Sequence, residues 1–201
     1  ELLDKVLQFQ GKTLIFLDTE STGLEPNDSY NQLTEISAMA VDGSTMETLG
    51  EYNTKVELGD AYNRLGDPNS PEAKEYKSKS DRWLRKYKKE PMHPSDVLKM
   101  TNYHGGNSES AKKSEPEALE GLEQFIKQYP NPLIIAHNAK FDIKTISARR
   151  RLSGLSVMIK RPVLDSVKVA QYFFIPILIA MGNNPDAKEY IQGLWAKNKY
   201  E

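Results

Sequence analysis

Two short segments of this 201-residue chain carry side chains whose types and spacing could support metal-assisted chemistry. The first is Leu14-Ile15-Phe16-Leu17-Asp18-Thr19-Glu20-Ser21-Thr22-Gly23-Leu24, an apolar run that passes into acids. On a strand, residues two apart project from one face, so Asp18 and Glu20 point together while Thr19 points away. Two carboxylates at the end of an apolar strand repel one another unless a cation neutralises them, and oxygen ligands suit a hard divalent ion. A solvated strand end is the bland alternative. The second segment is Ile134-Ile135-Ala136-His137-Asn138-Ala139-Lys140-Phe141-Asp142. An apolar strand there delivers His137 and Asn138 into a loop, and a helix begins that carries Phe141 inward and Asp142 within its first turn. Asp142 could equally serve only the helix dipole, worth about 0.3–1 kcal/mol, and His137 could be a satisfied core histidine.

Composition narrows the chemistry further. With no cysteine, disulfide frameworks, thiolate metal sites and thiol nucleophiles are excluded, and a reducing, cytoplasmic setting is compatible. Any metal must be held by oxygen or imidazole. The most apolar stretch, Phe173 to Met181, falls far short of the ~20 residues of a membrane span and contains Pro176, so it reads as buried helix. The acidic start Glu1-Leu2-Leu3-Asp4 does not fit a leader peptide, and without an initiator Met the chain is expected to be a fragment or processed form.

The formal net charge of −1 is a cancellation. Residues 1–60 hold twelve acidic against three basic residues, whereas Lys74 to Lys89 holds eight basic against two acidic. Lys140, Lys144, Arg149, Arg150, Arg151, Lys160 and Arg161 form a second basic cluster. Such alternation suits a polyanion held beside a cation-loaded carboxylate site, with solvated helix faces as the alternative.

The elements that must position these residues can be read coarsely. Thr13 to Asp18, Leu33 to Val41 and Glu51 to Leu58 read as a three-strand meander, with Asp42-Gly43 as a tight hairpin turn. Asp60 to Pro71 reads as loop and Pro71 to Lys89 as helix. A short helix through Met100 follows, capped by Ser95-Asp96, and Ser114-Glu115-Pro116-Glu117 starts another helix. Pro132 to His137 reads as a buried strand, Phe141 to Leu152 as helix and Arg161 to Leu164 as strand. Two further helices are expected, from Ser166 to Met181 and from Pro185 to Lys199. Strands alternating with helices in the second half predict an α/β fold.

Taken together, Asp18-Thr19-Glu20-Ser21-Thr22-Gly23-Leu24 and His137-Asn138-Ala139-Lys140-Phe141-Asp142 resemble the first two motifs of the DnaQ-like (DEDD) 3′-to-5′ exonuclease family. The resemblance spans most of the chain. It implies an RNase H-like mixed sheet, an antiparallel meander followed by parallel strands, flanked by helices. The chain is then expected to be one exonuclease-like domain, residues 1–201, with a basic insertion at about 59–114. It also implies that Asp18, Glu20 and Asp142 are catalytic metal ligands for two Mg2+ or Mn2+ ions. By the same resemblance Thr22, Leu24, His137, Asn138 and Phe141 line the pocket for the terminal nucleotide. For Leu24 and Phe141 ordinary core packing is an equal alternative. Leu164-Asp165-Ser166 is similar to the family's strand-to-helix passage, where Asp165 acts as a cap.

The implied reaction is hydrolysis of single-stranded DNA 3′ ends to nucleoside 5′-monophosphates, in the setting of polymerase proofreading. A DNA polymerase is then a natural partner, which Phe173 to Met181 could contact if it is not helix core. The family's third motif is His-x-x-x-x-Asp or Tyr-x-x-x-Asp, and nothing after Asp142 matches it. The expectation is a chain that stops short of this motif and is itself inactive or greatly weakened. The alternatives are a catalytically inactive module that binds nucleic acid or polymerase, and an exoribonuclease acting on RNA 3′ ends. Within the insertion, Tyr76, Trp83 and Tyr87 interleave with Lys and Arg. At that spacing they either dock the helix on the core or contact nucleic acid.

Overall fold

A computed structural model describes residues 11–100, 112–156 and 161–169. Its centre is a five-stranded sheet formed by β1 (Thr13–Ser21), β2 (Leu33–Asp42), β3 (Thr48–Lys55), β4 (Leu133–Ala136) and β5 (Val163–Asp165), in the order β3-β2-β1-β4-β5. The first three strands pair antiparallel, β4 lies parallel to β1, and β5 lies parallel to β4. This is the mixed sheet that the resemblance implies, with the three-strand meander read from the sequence. The apolar Leu-Ile-Ile-Ala of β4 is placed beside the central strand, where both of its neighbours are strands.

Around the sheet lie α1 (Asp60–Asn63), a 3-10 turn (Arg64–Gly66), α2 (Pro71–Tyr87), α3 (Pro94–Met100), α4 (Glu115–Lys127), α5 (Lys140–Leu152) and the single turn α6 (Ser166–Val169). α4 starts where predicted, with Ser114 and Glu117 closing a capping box. Its inner face, Leu119, Leu122, Phe125 and Ile126, packs with Ile146 of α5 onto Ile15, Leu17, Leu33, Ile36 and Ile134 of the sheet. Gly121 permits the approach to β3, because a Cβ there would stand 2.5 Å from the Tyr52 hydroxyl, which itself donates to the Ala118 carbonyl at 2.7 Å. The opposite sheet face carries a smaller cluster of Leu14, Val41 and Leu133. No helix among the described residues is long and apolar enough to cross a membrane.

Three local expectations are corrected. The link between β2 and β3 is wider than an Asp-Gly hairpin: Asp42 accepts from the amides of Ser44 and Thr45, and Met46, at φ 62°, takes the left-handed position. β1 runs three residues beyond Asp18, because pairing with β2 continues through the acids. Residues 60–66, read as loop, form one helical turn and the 3-10 turn. The helices expected beyond Val169 and the chain start lie outside the described residues.

The excursion between β3 and α4 is closed at its base, where Val56 bridges Lys113 and Glu57 donates to the Lys113 carbonyl. α2 is capped by the Ser70 hydroxyl, which accepts from Ala73 at 3.0 Å, and ends at Lys88 in a left-handed conformation. It is fastened to the loop after β1 by Lys79, which bridges Asp28 and Glu75, and by Tyr76, whose ring meets Tyr30 edge-on at 5.6 Å.

A buried ion pair holds the elements together. Arg149 of α5 donates from Nε and Nη2 to both carboxylate oxygens of Glu115, at 2.7–3.1 Å, and from Nη1 to the Asp28 carbonyl. Glu115 Oε1 also accepts the Leu33 amide at 2.8 Å. Truncating one partner of such a pair strands the other's charge, so Arg149→Met is expected to cost about 3–5 kcal/mol in denaturant unfolding. Adding Glu115→Gln should restore part of it. A loss under about 1 kcal/mol for Arg149→Met would show that the pair is not a clamp.

Candidate active site

Asp18 and Glu20 are exposed on one face of β1, while Thr19 and Ser21 are buried on the other. Strand periodicity therefore places the two acids as expected. Across the antiparallel pair Asp18 faces Ser37 and Glu20 faces Glu35, and a bulge follows at once between Glu20 and Ser21. Like charges opposite one another on adjacent strands destabilise a sheet. Glu35 was not singled out from the sequence, because only the register reveals it as Glu20's neighbour.

Asp142 sits in the first turn of α5, buried, and its Oδ1 accepts the Thr19 hydroxyl at 2.7 Å. Thr19 thus ties the site helix to the central strand from the face opposite Asp18 and Glu20. Its sequence signal was limited to pointing away from the acids. Burial, then Asp18, Glu35 and Asp142, push the Glu20 carboxyl above the ordinary carboxylate range. Burial and Asp18 likewise push Asp142 upward, against the opposing pull of the Thr19 hydrogen bond. The three acids form one electrostatic group.

His137 and Asn138 are exposed at the β4 exit. His137 Nδ1 lies 3.1 Å from the Ser166 hydroxyl, and the Asn138 amide donates to Asp165 at 3.1 Å. Asp165 also accepts the Val167 amide, so it joins the two loops as a cap. Asn138 takes φ 54°, a conformation asparagine tolerates, and its carbonyl accepts the Phe141 amide that opens the helix. Phe141 is half-buried and belongs to neither core cluster.

Beyond Glu20 the chain turns through a tied loop. Thr22 is fully buried and its hydroxyl accepts the Gln32 amide, so its side chain shapes the loop. Gly23 leaves room for Asn31, whose Oδ1 would stand 2.6 Å from a Cβ at that position. Leu24, at 74% exposure, is no core residue. It forms one wall of a cleft of about 520 Å³ whose other wall is α2, with Trp83 and Tyr87.

Among the described residues the second basic cluster does not form a common surface. Arg149 and Arg150 are buried; Arg150 donates to the carbonyls of Ser156 and Leu119 and pairs with Glu123, while Lys144 pairs with Glu25. Charge counting could not foresee this, because α5 turns these guanidinium groups inward.

Among the described residues no three Asp, Glu or His side chains meet closely enough to hold an ion together; Asp142 is committed to Thr19 instead. The donor set nevertheless fits a hard divalent cation, being all oxygen and mutually repelling. If repulsion and burial strain the metal-free site, Asp142→Asn should raise the melting temperature in EDTA by about 2–4 °C. Mn2+ should stabilise the wild type and not the variant. A lower melting temperature for the variant in EDTA would count against the strained cluster.

No protein-family model matches the chain. It is 22% identical over 160 residues to the PolC-type DNA polymerase III of Halalkalibacterium halodurans, a match covering 80% of this chain and 8% of that protein. With the PolC-type polymerase III of Clostridium perfringens the identity is 31% over 84 residues, 42% of this chain and 5% of that one. The chain therefore spans under a tenth of these relatives. In fold it is similar to E. coli exonuclease I in complex with a dA16 oligonucleotide, at TM-score 0.55 and 13% identity over 81% of this chain and 30% of that one. A zinc-bound form of the same enzyme with single-stranded DNA gives TM-score 0.56, 13% identity and coverage of 82% and 30%. In fold the chain is thus similar to exonuclease I, with a mixed RNase H-like sheet, and in sequence it is similar to a part of the PolC-type polymerases.

Proposed function

We propose that residues 1–201 form an exonuclease domain that hydrolyses single-stranded DNA from its 3′ end, releasing nucleoside 5′-monophosphates beside a DNA polymerase. The observation that carries the reading is the placement of Asp18 and Glu20 on one face of β1 and of Asp142 in the first turn of α5, near enough for their charges to act on one another. Asp18, Glu20 and Asp142 would hold Mg2+ or Mn2+. Two such ions, when bound, would activate the attacking water and stabilise charge on the phosphate. The chain's own residues position the strand end. The Gly23 turn presents Leu24 as an exposed apolar surface for a base, His137 shares a pocket with Asp18, and Asn138 and Phe141 would complete the binding surface for the terminal nucleotide. Thr22 supports that turn through its hydrogen bonds. Residues 59–114 are an insertion in this domain. Similarity to PolC-type polymerases supports the polymerase setting and proofreading.

One observation favours a second reading, a binding module of the same fold without hydrolysis: no His-x-x-x-x-Asp or Tyr-x-x-x-Asp follows Asp142 within these residues. Mn2+ titration followed by electron paramagnetic resonance, run beside digestion of a labelled single-stranded oligonucleotide, separates the two. Asp18→Asn should weaken Mn2+ binding by more than the roughly 10–100-fold that losing an outer-shell partner costs. Hydrolysis by residues 1–201 is expected to be weak or nil; any release should be of monophosphates from the 3′ end and vanish in Asp18→Asn. Mn2+ binding without hydrolysis, even when a chain continuing into a third motif is assayed, would favour the binding module. Release from 5′ ends, or Mn2+ binding indifferent to Asp18, would overturn both.

A further inference from the structure

The cleft between the Gly23 turn and α2 contains exposed apolar side chains that the fold itself does not use. Trp83 and Tyr87, four residues apart on one face of α2, have ring centroids 4.3 Å apart and are 42% and 49% exposed. Leu24 faces them from the turn and Met92 lies beside them, both exposed and both lining the cleft. The helix face that docks α2 is a different stretch. Tyr76 meets Tyr30 and His93, and Lys79 bridges Asp28 and Glu75. Docking is thus complete without Trp83 and Tyr87, which remain available to a ligand.

Charge selects the ligand's class. The cleft's acids are already neutralised, Asp28 by Lys79 and Glu25 by Lys144. Arg82 and Lys86 also line it, and among the described residues neither has a carboxylate partner; Lys86 Nζ lies 4.8 Å from the centre of the Tyr87 ring. Unspent cations flanking exposed aromatic rings match a chain of phosphates carrying flat bases. The cleft opens at Thr22 to Leu24, just past the end of the strand that carries Glu20, so a nucleic acid lying in it can direct its end toward the acids.

We propose that Trp83 and Tyr87 of α2, with Arg82 and Lys86, form a stacking platform for a single strand, holding nucleotides upstream of the one at the acids. The orientation of the strand rests on the proposed exonuclease reading; the platform itself does not. A 5′-fluorescein oligothymidylate of about a dozen residues, within the usual footprint of single-strand binders, is titrated with the chain in EDTA and followed by anisotropy. Trp83→Ala and Tyr87→Ala should each weaken binding by about tenfold, the scale of one lost base stack, while Trp83→Phe stays near wild type. A strand of abasic residues should bind more weakly and be insensitive to Trp83→Ala. Arg82→Ser should shrink the salt dependence by about 0.7 in the log–log slope, the contribution of one phosphate on a single strand.

Circular dichroism and the melting temperature should not change in the Trp83 variants, since the ring is exposed. An effect of Trp83→Ala below about twofold would overturn the platform, given that one stack is worth several-fold. So would an equal loss on the abasic strand, equal affinity for duplex DNA, or a polyglutamate peptide competing as well as oligothymidylate. Binding read in EDTA does not depend on the ions that the acids would hold. Failure of the nuclease reading would therefore appear in Mn2+ binding, and failure of the platform in anisotropy.

Discussion

The arrangement of the site depends on one buried guanidinium. Arg149 lies on the helix that begins with Asp142, and it bonds Glu115 at the start of α4 and the carbonyl of Asp28 in the loop after β1. Glu115 in turn accepts the first amide of β2. Asp28 accepts the Tyr30 hydroxyl and pairs with Lys79 of α2. One residue therefore fixes the helix bearing the third acid relative to the loop that follows the first two, and through Asp28 it also fixes the insertion. A hydrophobic contact could supply comparable packing energy, but it would not set the angle between these elements, because only the planar fork requires its acceptors in fixed directions.

Given that frame, the site follows from the alternation of a strand. β1 is central, so its inner face must be apolar or satisfied, and Thr19 meets that demand by donating to Asp142. The same alternation turns Asp18 and Glu20 to the other face, where burial is incomplete and Glu35 adds a further like charge. The fold thus accepts an unfavourable electrostatic arrangement at the end of its most central strand. Conflict of this kind between local stability and sequence choice is expected where function sets the residues.

Much of this was legible in the sequence. The strand carrying Asp18 and Glu20, the strand and helix around Asp142 and the capped start at Ser114 all depend on local spacing and appear where local spacing puts them, while the cap at Asp165 is the one the family resemblance implies. What was illegible depends on direction or register. Arg149 and Arg150 were counted as a basic surface, yet a helix shows only part of its circumference to solvent, and composition does not say which part. Glu35 is fifteen positions from Glu20 in sequence and opposite it in space solely because of the β1–β2 register. The Asp42-Gly43 turn failed for a related reason: the side chain of Asp42 captured two later amides and moved the left-handed residue to Met46.

The basic residues of α2 show how burial sorts identical charges into different tasks. Lys79 loses hydration in the cleft, an effect that alone would lower its pKa, yet its bonds to Asp28 and Glu75 outweigh this and hold the pKa above the ordinary lysine value. That charge is consumed in docking. Arg82 and Lys86, three and seven residues on, share the cleft but extend beyond the acids that could pair with them. Composition presents all three as one basic run. Only the position of Asp28, held from beneath by Arg149, separates the cation that builds the cleft from the cations that the cleft displays.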